Sequence, residues 1–196
     1  MNLNQHSSLL IIFLAFKSSI LVFNLPGYSS DKVQSSAPST NKNIITEREP
    51  EKLKKIKEWT SDIDRKFSVP KISASQLLNH SNKDKDVVIV DVRSNDEIQV
   101  SKIPGAISLE QFRLRSDSLK NKEIIAYCTI GYRSSKFVRS ILSKFPKAKN
   151  LEGSIISWVH AGGKIVDSNE NETKRIHAYG RSQKLLPSSF KSHKDN

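Results

Sequence analysis

The chain has 196 residues, enough for one globular domain with tails, and 36% of them are hydrophobic and 27% charged. A single cysteine excludes an intramolecular disulfide, a resolving cysteine in the same chain and a metal site built from several cysteines, and the five histidines lack the H-E-x-x-H spacing of a zinc helix. The net charge of +12 favours anionic partners without choosing among them; no zinc-finger spacing, RNA-recognition signature or phosphate-binding P-loop accompanies it, so dedicated nucleic-acid binding is not expected.

The first distinctive segment is apolar. Leu9 to Phe16 runs unbroken, Lys17-Ser18-Ser19 interrupts it, and Ile20 to Phe23 continues it. The first run matches a secretory h-region of about 7–15 residues, and both together approach the roughly 20 of a membrane span. A central lysine costs about 2.5–3.5 kcal/mol of insertion. No basic stretch precedes Leu9 and no A-x-A cleavage site follows. Residues 1–28 therefore read as a signal or membrane-anchor candidate, which places the protein at a membrane or in an exported compartment. The alternative is a helix packed on the domain, or a tail, in a cytoplasmic protein.

Residues 29–50, rich in Ser, Asn, Thr and Pro, read as a polar linker. In "EKLKKIKEWTSDIDRKF", Leu53, Ile56, Trp59 and Ile63 fall at helical spacing, which predicts an amphipathic helix whose apolar face packs on the domain. "ISASQLLNH" predicts a short helix capped by Ser73 or Ser75. Strands and helices then alternate. "DVVIVDV" is a β-branched run too short for a helix, "NDEIQV" a short helix, "IPGAISL" a turn and strand, and "EIIAYC" a second apolar strand. "SSKFVRSILSKF" has one apolar helical face, "AKNLEG" is a short strand, "SIISWVHAGG" a helix closed by Gly162 or Gly163, and "KIV" a last strand. The pattern predicts an α/β fold: an open, mostly parallel sheet with helices on both faces. The domain is taken as residues 51–186, with residues 187–196 as a polar, frayed tail.

In such sheets ligands bind beyond the carboxyl ends of the strands. Cys128 ends a strand, and a helix begins near Ser134. The sulfur is thus expected at a loop whose amides point inward, at the positive end of a helix dipole and near Arg133, all of which favour a thiolate. Gly131 allows a positive φ there and a close approach of backbone to ligand. The competing reading is that Cys128 is a small buried hydrophobe.

Three motifs weigh between these readings. "VVIVDVRSNDEIQVSKIPGAISL", "IIAYCTIGYRSSKFVRSIL" and "NLEGSIISWVHAGGKIV" resemble, in order and spacing, the opening motif, active-site loop and closing Gly-x-x-x-Trp helix of the rhodanese family, over residues 70 to 166. The resemblance implies sulfur transfer. Cys128 would take sulfane sulfur from a small anionic donor such as thiosulfate, hold it as a persulfide, and pass it to a thiol or a protein acceptor, with no cofactor and no metal. The amides of Thr129, Ile130, Gly131, Tyr132 and Arg133 would cradle the persulfide or the donor oxyanion. Arg133 would pair with the donor or orient the loop. Asp91, Arg93 and Ser134 would support the loop and Trp158 would lie in the core; His160 and His177 could reach the site but read first as satisfied surface histidines. The chain departs from the family pattern at Ser101-Lys102, where Gly-His is common, and at Ile98, where an aromatic is common.

The same fold hosts phosphatases whose loop has five residues between Cys and Arg; here four separate Cys128 from Arg133, a cradle that suits a sulfur atom. RNA-hydroxylating members of the family usually carry further cysteines, which this chain lacks. The remaining alternative is a non-turnover persulfide carrier or sensor, or a protein-binding module on the same fold.

Overall fold

An apolar run within the domain becomes the centre of the sheet. In the computed structural model, which describes residues 40–80 and 86–193 and side chains from residue 48 onward, that run is strand β4 (Glu123–Tyr127). It pairs in parallel with β2 (Val87–Asp91) over five residues, from Val87 opposite Glu123 to Asp91 opposite Tyr127. β5 (Lys149–Leu151) lies on its other side, β1 (Lys71–Ile72) beyond β5, and β3 (Ile107–Ser108) beyond β2, so the five-stranded order is β1-β5-β4-β2-β3, all parallel. The fold is the expected α/β sheet covered on both faces.

Alternation along β4 divides the core. Ile124 and Ala126 join Val90, Phe112, Val138 and Phe145 on one face, beneath α4 (Leu109–Leu114) and α5 (Tyr132–Ile141). Ile125 and Tyr127 join Leu77, Leu151, Ile155 and Ile156 on the other, beneath α2 (Ala74–His80) and α6 (Ser154–His160). Both faces of β4 are dry, which is why its sequence reads as a continuous apolar run rather than an alternating one. The chain leaves β2 towards β3 but leaves β4 towards β5, so the sheet reverses its winding between β2 and β4. A crevice opens beyond their carboxyl ends at such a switch point.

The amphipathic helix, α1, buries Ile56, Ile63 and Phe67 as its spacing requires. It spans Thr40–Phe67 and so begins inside the segment predicted to be linker. Polar composition suggested a linker, but no glycine or proline lies between residues 40 and 49 to stop a helix. Ser73 caps α2 with a reciprocal box: its hydroxyl accepts from the Gln76 amide (3.2 Å) and its amide donates to Gln76 Oε1 (2.9 Å).

The C-terminal region corrects several expectations. "KIV" is not a strand; Val166 makes only single antiparallel bridges, to Lys102 and Glu172. The tail is not frayed over residues 187–193. β7 (Lys191–Ser192) pairs in parallel with β6 (Arg175–Ile176), Phe190 packs against the core, and the Ser188 amide donates to Glu49 Oε1 (3.0 Å). Two-residue strands carry no readable period, so composition alone suggested a tail. His177 is buried rather than at the surface, while His160 is half-buried and satisfied by the Leu185 carbonyl (2.7 Å). The apolar segment of residues 9–23 lies outside the described residues; among those described, no helix is long and apolar enough to cross a membrane.

Candidate active site

Cys128 follows β4 directly and is buried, 2% exposed. Its own amide donates to Ser154 Oγ (3.0 Å), tying the end of β4 to the start of α6. The chain then turns through Thr129, Ile130 and Gly131 into α5. Gly131 takes φ +116° as the residue before the helix, a conformation that disfavours a side chain. This turn aims the Gly131 amide at Cys128 Sγ, 3.2 Å away. The Ser134 hydroxyl lies 3.5 Å from the same sulfur and Ser154 Oγ 3.9 Å from it. Burial pushes the Cys128 thiol up, but hydrogen bonds from the Ser134 side chain and amide and from the Gly131 amide, together with the charge of Arg133, outweigh it and hold the thiol below its ordinary value. A buried hydrophobe would show the reverse balance.

The structure brings most of the predicted residues together, though not all in the expected parts. Thr129 and Gly131 are buried in the loop, and Ile130 packs against the core on the α6 face. Tyr132 is exposed, its ring edge-on to Phe67 of α1 with centroids 5.0 Å apart. The amides found on the sulfur are those of Gly131 and Ser134, the latter one residue beyond the expected span. Ser134 thus contacts the sulfur itself rather than only supporting the loop.

Arg133 is not free to meet a donor head-on. Its Nη1 and Nη2 donate to Glu97 Oε2 and Oε1 (2.6 and 2.7 Å), and Nη2 also reaches Thr129 Oγ1 (3.0 Å). Glu97 belongs to α3 (Asn95–Val100) and is 1% exposed. Burial raises its carboxyl, but hydrogen bonds from Arg133 and from the Ser94 amide, with the charges of Arg133 and Arg93, bring it down to about 2. Glu97 was not among the predicted site residues. Ser94-x-x-Glu97 is a capping-box signature, and both of its bonds are present; that signal locates the helix start but says nothing of a partner on α5. Ser154 was also missed. It sits at φ +53°, a left-handed conformation that costs of order 1–3 kcal/mol for a residue with a side chain, and no sequence signal marks it.

Asp91 and Arg93 form a second pair behind the loop. Arg93 Nε donates to Asp91 Oδ1 (2.9 Å) and Nη2 to Asp91 Oδ2 (2.6 Å), while Nη2 also donates to the Ser101 carbonyl (2.6 Å). Both side chains are sealed from water, at 0% and 1% exposed. The pair links the end of β2 to the residue that closes α3, and α3 presents Glu97. Among the described residues, no group of His, Cys, Asp or Glu side chains converges as a metal site.

The family model for the rhodanese-like domain matches residues 73–161. A protein named sulfurtransferase from Allochromatium vinosum is 29% identical over 102 residues, covering 50% of this chain and 95% of that protein. A tRNA uridine(34) hydroxylase from Cytophaga hutchinsonii is 35% identical over 92 residues, covering 41% of this chain but only 30% of the hydroxylase. A crystal structure of thiosulfate sulfurtransferase from Pseudomonas aeruginosa superposes with a TM-score of 0.49 at 25% identity, over 66% of this chain and 26% of that one. The match over residues 73–161 identifies that region, which holds the cysteine-bearing loop after β4, as a rhodanese-like domain.

Proposed function

We propose that the protein is a sulfurtransferase that works through a Cys128 persulfide. The observation that carries this reading is the environment of the sulfur: a buried thiol whose anion is favoured by the Gly131 amide, by the Ser134 amide and hydroxyl, and by Arg133. In the first half of the reaction the Cys128 thiolate attacks the sulfane sulfur of a donor such as thiosulfate. A bond forms between Sγ and that sulfur, the sulfur–sulfur bond of the donor breaks, and sulfite leaves with the electron pair. The outer sulfur of the persulfide carries negative charge, and the loop donors oriented towards Sγ stabilise it without reorganising. In the second half an acceptor nucleophile attacks the outer sulfur and the electron pair returns to Cys128 Sγ.

Arg133 acts in this scheme through its position. Glu97 fixes the guanidinium, so its charge acts on the thiol from a set position. The similarity to a protein named sulfurtransferase, matched over nearly its whole length, supports the reading.

Thiosulfate treatment followed by intact-mass measurement tests it. One sulfur atom adds to the wild-type chain and none to Cys128→Ser. Sulfur uptake by the serine variant would overturn the proposal. Loading without release to any thiol would make the protein a carrier rather than an enzyme.

A further inference from the structure

A groove of about 490 Å³ lies between α3 and the segment that follows α6, away from the cysteine-bearing loop. Asp96 and Gln99 line it from α3, and Asp167, Thr173, Arg175 and His193 from the later segment. The first two fall inside the family match over residues 73–161 and the other four beyond it. Backbone bonds fix the two sides. The Lys102 amide donates to the Val166 carbonyl (2.8 Å) and the Val166 amide to the Lys102 carbonyl (2.9 Å), which ties the chain just after α3 to the turn at Asp167. The pairing of β6 with β7, and the bond from the His193 amide to the Ile176 carbonyl (2.8 Å), set Arg175 beside His193.

The charges around this groove pair off, but those inside it do not. Lys102 meets Glu170 (2.6 Å), and Glu172 meets both Lys164 (3.0 Å) and Lys174 (3.3 Å). Among the described residues Arg175 has no carboxylate, and neither Asp96 nor Asp167 has a cation, within ion-pair distance. Arg175 Nη2 donates instead to His193 Nδ1, which leaves the ring proton on His193 Nε2. Asp167 Oδ1 accepts the amides of Asn169 and Asn171 (2.9 and 3.0 Å), which holds the carboxylate in place within its turn. The groove therefore holds a guanidinium and two carboxylates that stand too far apart to neutralise one another. A purely anionic ligand would meet Arg175 and be repelled by Asp96 and Asp167, and a purely cationic one the reverse. Only a ligand bearing both charges complements the whole lining.

We propose that this groove binds a small zwitterion of the α-amino-acid type, its carboxylate on Arg175 and His193 and its ammonium on Asp96 and Asp167. Gln99 and Thr173 offer polar ends to its side chain. The inference stands apart from the sulfur-transfer reading, since Cys128 takes no part and no bond is made or broken. The two sites share α3: Asp96 faces the groove from the residue next to Glu97, which holds Arg133 at the active loop.

Calorimetric titration of the full chain with L-glutamine tests the groove, beside 4-carbamoylbutanoate, which lacks the ammonium, and 4-aminobutanamide, which lacks the carboxylate. Glutamine is expected to bind about fivefold more tightly than either, the effect of one well-aligned exposed ion pair. The two preferences should also separate by mutation. Asp96→Asn narrows the preference over 4-carbamoylbutanoate and leaves the other, whereas Arg175→Gln abolishes the preference over 4-aminobutanamide and leaves the first. Melting temperatures show that both variants are folded, and Asp96, exposed on α3, can be changed without disturbing the core. Absence of glutamine binding, equal binding of the three compounds, or preferences that both variants leave untouched overturns the site.

Discussion

Two arginine–carboxylate pairs flank the active loop, and they use the same chemistry in opposite surroundings. In Arg93–Asp91 both side chains are dry, 0% and 1% exposed; in Arg133–Glu97 the carboxylate is equally buried but the arginine side chain is 43% exposed. The first joins the end of β2 to the Ser101 carbonyl and holds the scaffold. The second crosses from α3 to the first turn of α5 and holds the loop. A fully buried pair is costly to break from one side, because losing one partner leaves the other charged and unsolvated. A pair open to water on its arginine side loses less when broken, because solvent can take over. Burial therefore assigns one arginine to folding and the other to the site, although a sequence shows only two arginines.

Breaking the inner pair gives the largest effect. Arg93→Met leaves Asp91 buried and unpaired, and denaturant unfolding should show a loss of about 3–5 kcal/mol. Arg93→Lys should not rescue it fully, since an ammonium cannot reproduce the planar fork that meets Asp91 through two nitrogens.

Breaking the outer pair from the acid side should cost less. Glu97→Gln keeps the shape and removes the charge, with an expected loss of about 1.5–3 kcal/mol by the same measurement. The pH dependence sharpens the contrast. The folded carboxyl is held at about 2, below the roughly 4.3 of an unfolded glutamate. Its stabilisation is therefore fully present above about pH 4.3 and is lost as pH falls towards 2. Glu97→Gln should flatten that limb of the stability curve. It also removes the negative charge held against Arg133, so the midpoint of Cys128 alkylation against pH should fall further; an unchanged midpoint would show that Glu97 does not temper the charge of Arg133 at the sulfur.

The smallest expected change tests the loop without touching either pair. In the wild-type chain Cys128 should alkylate with a midpoint below the roughly 8.5 of a free thiol. Ser134→Ala removes one donor from the sulfur and should move the midpoint up, at a cost of about 0.5–1.5 kcal/mol in stability. A midpoint that stays put would assign the shift to the Gly131 and Ser134 amides and to Arg133.

What the sequence disclosed follows the range of the interactions. Strands β2 and β4 were legible because each is a local apolar run, and the Cys128 loop because a strand, a glycine and a helix start lie within a few residues. The partner of Arg133 was not legible: Glu97 stands 36 residues away along the chain, and its local signature describes only a helix cap. Ser154, 26 residues beyond Cys128, meets the Cys128 amide only because α6 begins beside the end of β4. The pairing of β6 with β7 escaped because each strand has only two residues. Polar composition was misleading at both flanks, where Glu49 and Ser188 prove to bond to each other.

The packing of α1 on the loop glycines has a consequence for modularity. A Cβ added at Gly153 would lie 1.8 Å from Ser157 Oγ and 3.3 Å from Ile56 Cγ2, and one added at Gly131 would lie 3.8 Å from Ile63 Cδ1. Ile56 and Ile63 belong to α1, upstream of the family match over residues 73–161. The evolutionary unit and the working unit of this protein therefore have different borders. Transplanting only the matched residues into another chain would carry Cys128 along but leave behind a wall of its chamber, so a graft of this loop has to begin with the helix that precedes it.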